Sequence, residues 1–164
     1  MTLTRPEAEE LLYREAALLD DGDWDSWLDL YTEDAVFWMP AWRDEENPTA
    51  DPDTELSLIY YQGRSGLEDR VYRAQSGQSV ASRPRPRCVH CISNVLIVRG
   101  DAASADVSAS FVVHQHDVRA ARSHAFFGRY HHRLRIEEGK WRIAGKKILL
   151  LNDTVPAVVD FYSV

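Results

Sequence analysis

An α+β fold, in which long antiparallel strands follow a helical N-terminal region, is what this sequence predicts, and three observations predict it. Apolar residues recur at helical spacing up to Tyr31, alternation of period two dominates from Arg87 onward, and short polar turns punctuate that alternation. Helices first and strands afterwards place the helices against one face of a strongly bent sheet. The chain has 164 residues, 45% of them hydrophobic. That suits a single domain over 1–164, able to bury about 70% of its unfolded surface.

Residues 4–21 read as the first helix. Leu11 pairs with Leu18, and Leu12 with Ala16 and Leu19, on one face, while glutamates crowd the first turns, where the helix dipole favours them. Thr4, Pro6 and Glu7 make a capping-box start, and Gly22 a stop. Asp23 is placed to cap a second helix reaching about Tyr31, whose stripe of Trp24, Trp27, Leu28 and Tyr31 suits core packing. From Ala35, the residues Val36, Phe37, Trp38 and Met39 form a strand that Pro40 ends.

Arg43 to Thr54 is acidic, proline-bearing and poor in apolar side chains, so it cannot order itself by burial. It is expected to be an exposed loop or arm, available to a partner. Glu55 to Tyr61 returns as a strand, Gly63 to Gly66 turns, and Leu67, Val71 and Ala74 share a stripe on a helix ended by Gly77. From Arg87 to Asp153 four alternating segments, with turns at 99–102, 117–121 and 137–140, predict an antiparallel meander.

Formal charge is -7, with a pI near 5.3. This disfavours nucleic acid and anionic membrane as partners, since both reward a positive field. No run of apolar residues is long enough for a membrane span, and the N-terminus lacks a signal-peptide core, so a cytoplasmic location is expected. Residues 1–60 hold 17 acidic against 3 basic side chains, and residues 61–164 hold 9 against 16. Such polarity is either solvated and paired within one chain, or complementary in a head-to-tail contact that closes a ring.

Cys88, His90 and Cys91 look like the beginning of a metal site. With only two cysteines in the chain, Asn rather than His at position 94, and strand spacing that sends Cys88 and Cys91 to opposite faces, they are expected to be ordinary reduced cysteines. His114 and His116 share the polar face of their strand, as a solvated or partner-facing pair with no carboxylate to complete a metal triad. On the next strand Arg129, His131, Arg133 and Arg135 line one face, a candidate subunit interface because arginine's planar fork pairs carboxylates; a solvated stripe is the alternative. The opposite face carries His124, Tyr130 and His132.

Five segments together carry a family likeness: DDGDWDSWLDLYTEDAVFWMPAW from Asp20, ELSLIYY from Glu55, HCISNV from His90, FFGRYH from Phe126 and WRIAGKKILLLND from Trp141. The chain resembles the small (beta) subunit of the aromatic-ring-hydroxylating Rieske dioxygenases, nearest the benzoate and anthranilate 1,2-dioxygenase branch. The resemblance implies a cone-like, curved, mainly antiparallel sheet packed on N-terminal helices, the nuclear-transport-factor-like or cystatin-like architecture. It also implies a structural subunit of a multicomponent dioxygenase, with no catalytic residue, cofactor or metal of its own. The iron-sulfur cluster and mononuclear iron would reside in an alpha partner, on which the reductase acts, and this chain would trimerise within a hexamer of three alpha and three beta subunits.

The same architecture serves small dehydratases and isomerases, where an inward His or Asp takes a proton while tyrosines polarise a carbonyl. Asp34, Tyr60, Tyr61, His124, Tyr130 and His132 are the raw material for such a pocket here. Against that reading, a buried His or Tyr is more often a satisfied core residue. A small-ligand binding module is a third class.

Overall fold

The computed structural model describes residues 2–77, 79, 82–155 and 158–164. Helix α1 spans Arg5–Asp21. Thr4 closes the expected capping box: its backbone N–H and its hydroxyl both donate to Glu7 Oε2, at 2.8 and 2.6 Å. Gly22, at φ 74°, ends the helix in the left-handed conformation.

Helix α2 is Trp24–Leu28, capped by the Asp23 carboxylate, which accepts the Ser26 N–H at 3.3 Å. It stops short of Tyr31, contrary to the helical spacing, because the chain there is already paired with the far end of the sequence. The Ile143 N–H donates to the Leu30 carbonyl at 2.8 Å, and Tyr31 opens strand β1 (Tyr31–Pro40). Strand β2 (Ser57–Gln62) and helix α3 (Arg64–Ser76) follow, the helix starting directly after Gly63. The meander comes next: β3 Arg87–Gly100, β4 Ser104–Asp117, β5 Arg122–Glu137 and β6 Lys140–Leu150.

The six strands form one sheet in the order β2-β1-β6-β5-β4-β3. All neighbours are antiparallel except β1 and β6, which run parallel. The sheet is curved and unclosed, with β2 and β3 at its edges. Alternation works as predicted on β5, where Phe126, Tyr130, His132 and Leu134 are buried while Phe127, Arg129, His131 and Arg133 are exposed.

Two local devices shape the sheet. Asn94 adopts φ 55°, and the β3–β4 register shifts between Ser93 and Leu96, a bulge that bends the strand and hands the inward series on to Val95. At Gly128 a Cβ would stand 1.9 Å from the Leu149 carbonyl oxygen, so β5 and β6 meet there only because no side chain intervenes.

The core lies between the concave face and the helices. Trp24, Trp27, Tyr31 and Phe37 are joined by Phe161 and Tyr162 from a final 3-10 turn, Phe161–Ser163. Tyr162 stacks on Trp24 with centroids 5.4 Å apart, and Phe161 on Trp27 at 5.2 Å. The Arg70 guanidinium pairs with the buried Asp160 and fixes this tail. The 43–54 segment is largely exposed, as expected, yet folded on itself by carboxylates rather than by burial. Glu55 pairs with Arg43 and accepts the Ala50 and Asp51 N–H groups at 2.6 and 2.8 Å.

Candidate functional site

Inside the cone, α1 and the inner faces of β1, β5 and β6 bring ionisable groups together at one carboxylate. Glu15 lies on the buried stripe of α1 among Leu11, Leu12, Ala16 and Leu19 and is 2% exposed. Its Oε1 accepts the Tyr31 hydroxyl at 2.5 Å, the Lys146 ammonium at 3.0 Å and the Trp27 indole N–H at 3.4 Å. Its Oε2 accepts the His132 Nε2–H at 3.2 Å, which puts the imidazole proton on Nε2. The Lys146 ammonium, 1% exposed, also lies 4.3 Å from the centroid of the Tyr130 ring.

Burial by itself would push the Glu15 carboxyl up, but Lys146, His132 and Tyr31 outweigh it and hold the group well below the ordinary carboxylate range. Burial pushes the His132 imidazole and the Lys146 ammonium down, each partly offset by Glu15. Burial and the Glu15 charge push the Tyr31 hydroxyl well up. The result is a carboxylate with its counter-cation Lys146 and three neutral donors, Tyr31, Trp27 and His132, all turned inward. The clefts open to solvent lie elsewhere: one of about 660 Å³ runs between α1 and the β5–β6 hairpin beside Trp141, another of about 650 Å³ lies around Arg64 and Arg135.

The residues considered for a private pocket do not converge. Tyr130 and His132 are buried side by side on the concave face. His124, half-buried, meets the edge of the Phe126 ring. Asp34 is on the outside, its carboxylate accepting from Arg135 at 2.7 and 3.1 Å. The cause is the register shift in β1 between Tyr31 and Val36, which leaves Glu33 and Asp34 both exposed before Ala35 turns inward. Tyr60, on the edge strand, is paired with Trp38 and is remote in the sheet order from β5. Tyr61 is half-buried and packs beside Gly66.

Alternation alone misses Glu15 and Lys146, although both leave a trace. Position 15 falls on the helical stripe through Ala8, Leu12 and Leu19, and position 146 continues inward the series Ile148 and Leu150. Cys88 and Cys91 face opposite sides of β3, Cys88 half-buried with its thiol pushed up to about 12, chiefly by burial and then by Asp20. They offer no paired thiolates for an iron-sulfur cluster. Among the described residues no group of three or more His, Cys, Asp or Glu is arranged to hold a metal ion.

On the convex face Arg129, His131 and Arg133 project outward from β5 as expected, and His114 is exposed on β4. Arg135 is half-buried between Asp34 and Glu137. His116 is half-buried too and shares a hydrogen bond of 2.8 Å with the Ser123 hydroxyl. Burial, with Lys147 and Arg129 adding, pushes the His131 imidazole down.

Residues 14–157 match the model of the ring hydroxylating beta subunit family. The chain is 42% identical over 153 residues to the 2-halobenzoate 1,2-dioxygenase small subunit of Burkholderia cepacia, covering 93% of this chain and 92% of that one. It is 37% identical over 163 residues to the benzoate 1,2-dioxygenase subunit beta of Acinetobacter baylyi, covering 99% and 95%. The crystal structure of the beta subunit of benzoate 1,2-dioxygenase from Burkholderia mallei superposes with a TM-score of 0.83 at 34% identity, over 100% of this chain and 99% of that one.

Proposed function

The chain belongs to the ring hydroxylating beta subunit family, and from that premise we propose that it is the non-catalytic beta subunit of a terminal oxygenase for aromatic carboxylates of the benzoate and anthranilate type. The observation that carries this reading is likeness along nearly the whole chain, at 37–42% identity, to small subunits of halobenzoate and benzoate dioxygenases. An alpha partner supplies the Rieske cluster and mononuclear iron and receives electrons from the reductase. With dioxygen and those electrons it converts the aromatic acid to a cis-dihydrodiol or a catechol. This chain contributes form: as a trimer within a hexamer of three alpha and three beta subunits, it holds the alpha subunits at a fixed mutual spacing.

The single domain over 1–164 and a cytoplasmic setting accord with this role, and no helix among the described residues is long and apolar enough to cross a membrane. The convex stripe of Arg129, His131 and Arg133, with His114, is the surface we assign to subunit contacts, and Arg135 and His116 border it. The pocket-enzyme alternative has less support. Its inward groups, Tyr130 and His132, are sealed around Glu15, and Asp34 is spent on Arg135 at the surface.

Reconstitution tests the reading. The purified chain is expected to bind no stoichiometric iron and to leave benzoate unchanged, and to restore hexamer mass and dihydroxylation when added to its alpha partner. Stoichiometric redox iron in the chain alone, or turnover without alpha, overturns it.

A further inference from the structure

The cleft of about 660 Å³ beside Trp141 is framed by parts that the sequence fixes locally. Glu137 pairs with Lys140 across a two-residue turn, Glu138 and Gly139, both at positive φ (53° and 76°), the backbone that so tight a hairpin needs. That turn delivers Lys140 and Trp141 to one wall. The first half of α1 supplies Leu11 and Arg14, one helical turn apart, and the chain leaving α2 supplies Leu30. The Ile143 N–H on the Leu30 carbonyl and the Arg142 guanidinium on the Asp29 carbonyl tie that chain to β6, so the cleft is a fixed feature of the fold. Its volume falls in the range of small-ligand pockets, about 300–1,000 Å³.

Most of the charge around the cleft is already engaged. The Glu7 carboxylate is held by the Thr4 N–H and hydroxyl, Glu10 pairs with Arg14 at 2.7 Å, and Arg142 lies 3.8 Å from Glu138 besides its carbonyl partner. Two lining groups are left wanting an acceptor. Lys140, exposed at the rim, enters no ion pair among the described residues, and the Trp141 indole N–H is buried with no acceptor among them. A buried donor is costly to leave unpaired. Leu11, Leu30 and the indole ring set apolar surface beside these two donors. Asp29, which follows α2, enters no ion pair either and repels an anion at its own end of the cleft, which leaves the hairpin end for a ligand's negative charge.

We propose that this cleft binds a small aromatic carboxylate, whose carboxylate accepts the Trp141 indole N–H and faces the Lys140 ammonium while its ring lies against Leu11 and Leu30. This rests on the substrate class named above and adds a second place, on the subunit without iron, at which an acid of that class is held. The apolar walls reward the ring, and the ammonium with the indole donor distinguishes an acid from its uncharged amide. A bound acid bridges α1 to the hairpin and stabilises the fold by mass action.

The test titrates benzoate into the full chain without alpha and follows the indole N–H resonances of its five tryptophans, that of Trp141 being the one that Trp141→Phe removes. Movement of the Trp141 resonance with a Kd of about 1 mM or tighter is expected. Lys140→Glu, at an exposed position, is expected to weaken binding about tenfold, and benzamide to bind about tenfold more weakly than benzoate. A Trp141 resonance unmoved at about 10 mM benzoate overturns the proposal, as does equal affinity for benzamide or an affinity indifferent to Lys140→Glu. Calorimetry on the unaltered chain with benzoate and benzamide gives the same comparison without any variant having to fold. Reconstitution with alpha uses the parental chain and reads hexamer mass and product, so the subunit reading and this site fail independently.

Discussion

Glu15 and Lys146, 131 positions apart in the chain, meet at 3.0 Å in the interior of the cone, each almost wholly removed from water. A buried pair of this kind adds little net stability over an apolar substitute, yet removing one member strands the other charge. Glu15→Gln or Lys146→Met is therefore expected to destabilise the fold by about 3–5 kcal/mol in urea titrations. The double variant should lose less than the sum, with a coupling of about 1–3 kcal/mol. Additive losses would mean that the two groups do not depend on each other.

Acid should weaken the fold in two stages. Burial keeps the His132 imidazole below its ordinary 6.5, so as pH falls through that value the unfolded chain takes up a proton that the folded chain refuses. Glu15 acts lower down. Burial would raise its carboxyl, but Lys146, His132 and Tyr31 together more than compensate and its folded value lies below 4.5, so its contribution is complete above 4.5 and declines as pH falls below it. His132→Gln, which still offers a donor to Glu15, is expected to flatten the stability profile between about pH 7 and 5 and to leave the lower stage in place. Parallel profiles for variant and parent across the upper interval would contradict the assignment.

The C-terminal turn holds the aromatic core shut. Phe161 stacks on Trp27 and touches Trp24, so Phe161→Ala is expected to cost about 3–5 kcal/mol. A shift in tryptophan fluorescence should accompany the loss, since both indoles border the space created. An unchanged spectrum would show that the tail is not packed as described.

Asp34 provides a contrast. Its pair with Arg135 is largely in solvent, so Asp34→Ala should change stability by less than about 1 kcal/mol. With alpha present, oxygenase turnover should stay at the parental level for Asp34→Ala and Tyr60→Phe, as measured by product formation from benzoate. A collapse in turnover with the hexamer intact would revive the pocket reading.

Much of this architecture is legible without coordinates. The inward and outward faces of β4 and β5 follow from strict alternation, and the start and stop of α1 from Thr4, Glu7 and Gly22, because these are local signals. What stays hidden depends on distant pairing. Tyr31 has the right spacing for the α2 stripe, but the parallel contact with β6 claims it for a strand, and sequence separation hides that competitor. Asp34 looks inward only until a register shift in β1 breaks the alternation that would reveal its side. Glu15 and Lys146 escape notice because charge usually marks the surface, and only their positions on buried stripes argue otherwise. The tail from Asp160 onward has no periodicity to betray its burial.

The placement of β1 between β2 and β6 has a consequence for biosynthesis. The pairing of Tyr31 with Ile143 and the covering of Trp24 and Trp27 by the last four residues await the C-terminal part of the chain. At roughly 5–20 residues per second the ribosome leaves these indoles uncovered for on the order of ten seconds. The N-terminal third is thus expected to depend on whatever shields those aromatic surfaces until residues 161–164 emerge.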